Sequence, residues 1–246
     1  MVKKKKNNLK KKLLNKTVEH LDISQFNATP IIEAMNKMSF SAREIANASK
    51  IFKMMLEDES CSIILTIAGS AGAAGCLNLF ADMLKYNMVD IVVATGAAIV
   101  DMDFFEALGF RHYQATKSVD DKVLRDLYID RIYDTYIDED DLQECDKTIT
   151  QIADSIKPDV YSSREFIKFM GEYLKNNSRK KGSLVETAFD YNIPIFCPAF
   201  SDSSAGFGLV MHQHNRINKN QKYVSIDSVK DFYELTKLKI KAKNTG

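Results

Sequence analysis

Residues 62–98 read SIILTIAGSAGAAGCLNLFADMLKYNMVDIVVATGAA. The apolar runs 62–67 and 90–94 have the length and composition of buried strands, and each run ends in small residues. Residues 76–86, between them, carry apolar side chains at helical spacing. This order predicts a βαβ unit whose two strands are parallel and end at the same edge of a sheet.

The rest of the chain repeats this alternation of helices and short apolar strands. Three pairs, Ser41 with Glu44, Ser162 with Glu165 and Ser183 with Glu186, have the spacing of helix capping boxes, and residues 193–197 form another strand-like run. The alternation predicts a three-layer α/β fold, with helices covering both faces of a mainly parallel sheet.

Composition and the length of the apolar runs indicate whether the protein spans a membrane, is secreted or stays in the cytoplasm. The chain has 246 residues, 45% of them apolar, and a formal net charge of +1. Its longest apolar runs are shorter than the roughly 20 residues that cross a bilayer, and no apolar segment of a secretory signal follows the basic amino terminus. The four cysteines show no CxxC spacing. We therefore expect a cytoplasmic protein that does not interact with membranes.

Residues 1–20 are rich in lysine and are predicted to form a basic, flexible arm, followed by one α/β domain over residues 21–246. The arm could bind RNA or another anionic surface through its charge, or it could only solubilise the chain. The run from Lys3 to Lys12 contains no aromatic residue that could stack on bases, so no nucleic-acid partner is predicted.

The first small-residue turn, Ala68–Gly75, follows a strand and opens a helix. Backbone N–H groups at such a position favour a phosphate or another anion. The glycine spacing is GxxGxxG, which differs from the dinucleotide fingerprint GxGxxG, and Ala68 stands where a nucleophile elbow needs glycine. The alternative is that small residues merely let the helix pack closely on the sheet.

Carboxylates and hydroxyls follow three strands of the predicted sheet. Asp101 and Asp103 come after the second strand, where they could contact a ribose or a cationic substrate, or could instead cap the helix that starts near Phe104. Asp202 follows the strand at 193–197. We expect Ser70, Thr95, Asp101 and Asp202 to converge at one edge of the sheet.

Histidines give little indication of a metal site. His212 and His214 have a spacing that would place both rings on one face of a strand, but no third ligand is evident, and no metal is predicted. His20 and His112 are interpreted as isolated residues with structural or solvated side chains.

Several of these segments together resemble the deoxyhypusine synthase family. The similarity runs from about Phe40 to the end of the chain and is clearest in NMVDIVVATGA (residues 87–97) and IPIFCPAFSD (residues 193–202). The other matching segments are residues 63–75, 163–174 and 227–246. The alanine-rich turns and residues 102–109, MDFFEALG, resemble the bacterial branch of the family more than the eukaryotic enzyme.

The resemblance implies a modified Rossmann-like α/β sheet and a homotetramer in which NAD lies at the interface of tight dimers. It implies an enzyme that oxidises spermidine with NAD, binds the 4-aminobutyl group to a lysine as an imine, and transfers it to a lysine of a translation factor. Such a lysine needs a dry pocket that lowers its pKa, and carboxylates to hold the ammonium groups of the polyamine.

Carried over residue by residue, the resemblance implies NAD contacts in both turns and after the third strand. These residues are Gly69, Ser70, Ala71, Gly72, Ala73, Thr95, Gly96, Ala97, Asp101 and Asp202. Asp101 is also implied as a polyamine contact.

The sequence departs from the family pattern in three places. The family's catalytic lysine follows a Trp-Gly dipeptide, and because this sequence has no Trp, the lysine is expected beyond residue 246, with the chain truncated before its carboxy-terminal strands. Val100 and Phe207 stand where the family pattern has acids. Phe207 could still pack on methylene groups or offer a cation–π face.

The departures keep two alternatives open beside the aminobutyl transferase. One is a homospermidine synthase, which passes the same group to putrescine. The other is a catalytically inactive, NAD-binding paralogue that completes a partner subunit.

Overall fold

A computed structural model of the chain describes residues 2–115 and 119–238, and only the backbone of residues 2–5. In chain order, the helices and strands are α1 (Val2–Leu13), α2 (Thr29–Met35), α3 (Ser41–Glu57), β1 (Ile64–Ile67), α4 (Leu77–Lys85), β2 (Ile91–Ala94), α5 (Phe105–Ala107), β3 (His112–Gln114), α6 (Asp121–Asp126), β4 (Ile129–Ile132), β5 (Thr135–Asp138), α7 (Glu139–Ser155), β6 (Val160–Tyr161), α8 (Ser163–Asn177), α9 (Leu184–Tyr191), β7 (Ile195–Phe196), α10 (Ser204–Asn218), β8 (Ser225–Ile226) and α11 (Ser228–Lys237).

The main sheet has the order β1-β2-β7, and both of its pairings are parallel. Ile67 pairs with Ala94, so β1 and β2 end side by side. This confirms the predicted βαβ unit and an α/β fold with a parallel main sheet. The predicted strand at 62–67 begins two residues later, the strand at 193–197 shortens to β7, and β2 has nearly the predicted bounds.

Helical cover of the main sheet differs between its strands. Val92 of β2 is fully buried, whereas Ile64 and Thr66 of β1 are exposed. Within the described residues, helices therefore do not cover both faces of β1 as the predicted three-layer arrangement would require.

Residues 112–138 leave the main sheet and form a second, antiparallel sheet of order β3-β5-β4. Helix α1 packs on it: Leu13 is buried with Leu124 and Tyr136, and the Lys10 Nζ lies 2.6 Å from an Asp138 carboxylate oxygen. In the structure, α1 is thus a helix that packs on the second sheet. Whether the arm of residues 1–20 is flexible stays a prediction.

Two of the three predicted capping boxes lie at helix starts. Ser162 and Glu165 form a complete box at α8, and the Ser183 hydroxyl accepts a hydrogen bond from the Glu186 N–H at α9. The capping box predicted at Ser41 is wrong. Ser41 is the first residue of α3 and not the capping residue before it, and Phe40, which precedes the helix, makes no side-chain cap. In the family-like segment 227–246, residues 228–237 form α11, and residues 239–246 lie outside the described residues.

Candidate functional site

The first turn, between β1 and α4, is accessible at Gly69 and Ser70 and closely packed at Gly72 and Ala73. Ser70 is exposed, and a Cβ added to Gly69 would have no atom within 4 Å. A Cβ on Gly72 would instead lie 2.9 Å from the Met102 Cβ, and the Ala73 N–H points at the Met102 sulfur, 3.3 Å away. The turn therefore packs on the segment that follows β2 through Gly72 and Ala73, while Ser70 and Ala74 remain exposed.

The second turn follows β2 and leads into the π-helical segment 97–104. Thr95 is exposed, and its Oγ1 accepts a hydrogen bond from the Ala98 N–H (3.2 Å). A Cβ on Gly96 would lie 2.7 Å from Ser203 and 3.2 Å from the Asp202 carbonyl oxygen. Only glycine allows this approach, which places the end of β2 against the residues that precede α10.

Asp101 joins the second turn to α10. Its Oδ1 accepts a hydrogen bond (2.8 Å) from the backbone N–H of Ser204, which is the first residue of α10. Burial raises the pKa of Asp101 to about 6, although hydrogen bonds from Ser204 oppose the shift and the nearby Asp146 and Asp202 add to it. Asp101 is thus a half-buried carboxylate close to two other acids, a setting that would favour a cationic ligand.

Asp103 has a structural role. It is buried, and its two oxygens accept hydrogen bonds from the Leu184 N–H (2.7 Å) and the Val185 N–H (2.8 Å) at the start of α9. Both Asp101 and Asp103 thus cap helices, as one alternative held, but these helices lie about 80 to 100 residues further along the chain. Neither caps the helix near Phe104, because the π-helical segment already includes them.

The structure brings most of the predicted site together. Thr95, Gly96 and Asp101 meet Asp202 and Ser203 at the carboxyl edge of the sheet, and the first turn reaches the same region through Met102. Gly72, Ala73 and Gly96 are buried, whereas Ser70, Thr95 and Asp202 are exposed.

Asp146 was missed by sequence reasoning. It lies on α7, and its Oδ1 is buried without a hydrogen-bond partner in the structure. Burial raises its pKa, while the Ser204 hydroxyl partly offsets the shift. Asp146 sits within a run of acids on an amphipathic helix, so the sequence offered no signal to separate it from solvated neighbours.

A second group that was missed surrounds Glu106. The Glu106 carboxylate lies 2.7 Å from the His20 Nε2, 2.8 Å from the His112 Nδ1 and 2.6 Å from the Lys180 Nζ. Burial would raise the pKa of Glu106, but the hydrogen bonds from His112, His20 and Lys180 outweigh it and hold the pKa below its usual range. His20 and His112 are therefore not isolated; both are buried partners of one carboxylate.

The prediction that His212 and His214 share a strand face is wrong, because both lie on α10. The His212 Nδ1 lies 2.8 Å from Asp154, and its Nε2 accepts a hydrogen bond from the Val224 N–H. His214 contacts Asn218 instead. In the part of the chain that the structure describes, no three or more His, Cys, Asp or Glu side chains are grouped to hold a metal ion.

A cavity of about 460 Å³ lies elsewhere, before the start of β7, between α8, α9 and the end of α11. Its walls are mainly apolar and include Ile167, Val185 and Pro194. Ligands of parallel α/β sheets bind at the carboxyl ends of the strands, so the two turns are the better candidate site. Among the helices described here, none is long and apolar enough to cross a membrane.

Fold and site together define an α/β protein with two small-residue turns and a half-buried carboxylate at the carboxyl edge of a parallel sheet. The family model for deoxyhypusine synthase matches residues 30–246, and the chain belongs to this family. Its relatives place it in the bacterial branch. A deoxyhypusine synthase-like protein of Coxiella burnetii is 62% identical over 239 residues, 97% of this chain and 67% of the relative. One from Caulobacter vibrioides is 59% identical over 241 residues, 98% of this chain and 66% of the relative.

The chain thus spans about two thirds of the length of these relatives. A crystal structure assigned to a deoxyhypusine synthase of Entamoeba histolytica has a similar fold, with a TM-score of 0.57 at 18% identity. The match covers 89% of this chain and 76% of that chain.

Asp101→Asn should stabilise the fold at neutral pH. The Asn oxygen can still accept from the Ser204 N–H, while the buried charge is removed. Because the folded-state pKa of Asp101 is raised to about 6, the wild-type carboxyl destabilises the fold increasingly as pH rises from about 4 through 6. We expect Asp101→Asn to gain up to about 2 kcal/mol at pH 7.5 and little at pH 4. Urea unfolding at both pH values measures this, with the exposed Asp202→Asn as control; an equal effect of Asp101→Asn at both pH values would contradict it.

Proposed function

We propose that the chain forms the NAD- and polyamine-binding part of a deoxyhypusine synthase-like aminobutyl transferase. The enzyme would move the 4-aminobutyl group of spermidine to an amine acceptor, a protein lysine that becomes deoxyhypusine. The observation that carries the proposal is the position of Asp101, a half-buried carboxylate at the junction of the second turn and α10. Membership of the deoxyhypusine synthase family supports aminobutyl transfer in general.

The exposed groups at the sheet edge have the chemistry that a dinucleotide needs. Gly69, Ser70 and Thr95 offer backbone N–H groups or hydroxyls for phosphates, and the exposed Asp202 offers a carboxylate for ribose hydroxyls. Gly72, Ala73 and Gly96 are buried and would act through the shape of the turns. Ala71 and Ala97 are partly exposed beside them. When bound, NAD would supply the hydride acceptor that oxidises the amine.

The acids beside this site would hold the ammonium groups of spermidine. Asp101 lies within the electrostatic range of Asp146 and Asp202, and a bound ammonium would favour the ionised forms of Asp101 and Asp146, whose pKa values are raised by burial. Phe207 is 69% exposed one turn into α10, where its ring could cover methylene groups. At pH values below about 6, Asp101 would have to lose its proton on binding, since a neutral carboxyl pairs poorly with an ammonium.

Other features are proposed on the family resemblance. They are a complete Rossmann-like three-layer fold, a homotetramer, a cytoplasmic location and a translation factor as the acceptor. We place the imine-forming lysine outside residues 1–246, so the transfer itself is proposed for the whole protein.

Spermidine binding should depend on pH and on Asp101. Because the pKa of Asp101 is raised to about 6, spermidine affinity should increase from pH 5 to pH 7.5 and then level off. Asp101→Asn should weaken binding at pH 7.5 by about tenfold, the effect of losing one charge-assisted contact. Isothermal titration in the presence of NAD measures both effects. Glu144→Gln, on the exposed side of α7, removes the same charge and is the matched control. Binding that is equal in the two variants would exclude Asp101 as a spermidine contact.

The fate of the transferred group distinguishes the candidate activities. The protein purified from its source is incubated with NAD and spermidine labelled in its aminobutyl group, with cell extract or putrescine as acceptor. We expect NAD-dependent label in a protein lysine. Label in a small amine would indicate a homospermidine synthase. NAD binding without any transfer would favour the inactive paralogue and contradict the proposed activity.

A further inference from the structure

Residues 16–21, here called the strap, link the antiparallel sheet to the first turn. On one side, the Val18 N–H donates to the His112 carbonyl oxygen (2.8 Å) and the Gln114 N–H donates to the Lys16 carbonyl oxygen (2.7 Å). On the other side, the Leu21 N–H donates to the Gly75 carbonyl oxygen (3.0 Å). The strap thus crosses the end of the first turn, next to the start of α4.

Gly75 permits the strap to come this close. Its φ is +99°, a conformation that favours glycine, and an added Cβ would lie 2.8 Å from the Glu19 carbonyl oxygen. The backbone of the strap therefore lies directly against Gly75, two residues before the first residue of α4.

The side chain of His20, in the strap, also contacts the start of α4. Its Nδ1 lies 3.3 Å from the nitrogen of Leu77, the first residue of α4, and accepts that N–H. Its Nε2 lies 2.7 Å from the Glu106 Oε2 and donates to it. Only a neutral ring with its proton on Nε2 makes both contacts. Glu106 is fixed in turn by His112 and Lys180, so the ring of His20 is held between a buried carboxylate and a helix terminus.

These contacts use backbone N–H groups that a phosphate would otherwise bind. The Leu77 N–H bonds to His20 and the Ala73 N–H bonds to the Met102 sulfur. In many dinucleotide-binding folds the pyrophosphate sits at the start of the helix that follows the first strand. Here the Ala73 and Leu77 N–H groups are already bonded within the protein, while Gly69 and Ser70 at the start of the turn remain accessible.

We propose that the strap, with His20 as its positioning residue, closes the amino-terminal end of α4 and directs the phosphates of the dinucleotide to Gly69–Ser70 and the second turn. This inference rests on the proposed binding of NAD. His20 itself would not touch the ligand; it would keep the first turn in the shape that binds.

Two substitutions of His20 each keep one of its two side-chain hydrogen bonds and remove the other. Asn at position 20 places its side-chain oxygen near the former Nδ1 and can still accept from Leu77, but it cannot reach Glu106. Gln places its amide nitrogen near the former Nε2 and can still donate to Glu106, but it loses the acceptor for Leu77. We expect His20→Asn to bind NAD within about twofold of wild type and His20→Gln to bind about tenfold more weakly, the effect of one hydrogen bond.

Isothermal titration with NAD measures these affinities, and the ¹⁵N shifts of the histidine rings show whether the Nδ1 of His20 lacks a proton. His112→Asn is the matched control, because it alters a contact of Glu106 without touching α4; its NAD affinity should stay within about twofold of wild type. The inference is wrong if His20→Gln binds as wild type does, or if His112→Asn is weakened equally, which would show a general effect of the Glu106 group. Wild-type protein that binds no NAD, with the expected His20 tautomer present, would instead refute the proposed function and the phosphate positions with it.

Discussion

The hydrogen bond from the Ser204 N–H to the Asp101 carboxylate joins the parts of the candidate site. Asp101 belongs to the segment that follows β2, and Ser204 begins the helix that follows β7, so the contact spans neighbouring strands of the sheet. The approach of Gly96 to Ser203 supports it. If these segments separated, the exposed hydroxyls and carboxylates would no longer face a common ligand.

Two carboxylates of the candidate site lower the stability of the fold. Asp101 is a partly desolvated acid close to Asp146, whose Oδ1 lacks a partner, and the pKa of each is raised by burial. Natural proteins accept such unfavourable groups mainly at functional sites, where a ligand supplies the missing charge. Asp103, two residues from Asp101, shows the contrasting case of a buried acid whose two oxygens are both satisfied by helix N–H groups.

Local patterns predicted the main elements well. Residues 91–94 form a strand because a short β-branched run between turn residues has few other buried conformations. The spacing of His212 and His214 alone suggested a strand, but two residues at this spacing do not establish a strand period. Both lie on α10, which packs closely on α7: a Cβ on Gly208 would lie 2.6 Å from the Asp146 carbonyl oxygen. The contacts of Glu106 with His20 and Lys180 join residues more than 70 positions apart, so no local spacing could reveal them.

Backbone hydrogen exchange with and without NAD tests most directly whether the two turns and the start of α10 form one binding site. Saturating NAD should slow exchange together at residues 69–71, 95–98 and 203–205. No new protection is expected at the cavity lined by Ile167, Val185 and Pro194. Protection confined to that cavity, or to only one of the two turns, would contradict a single binding site.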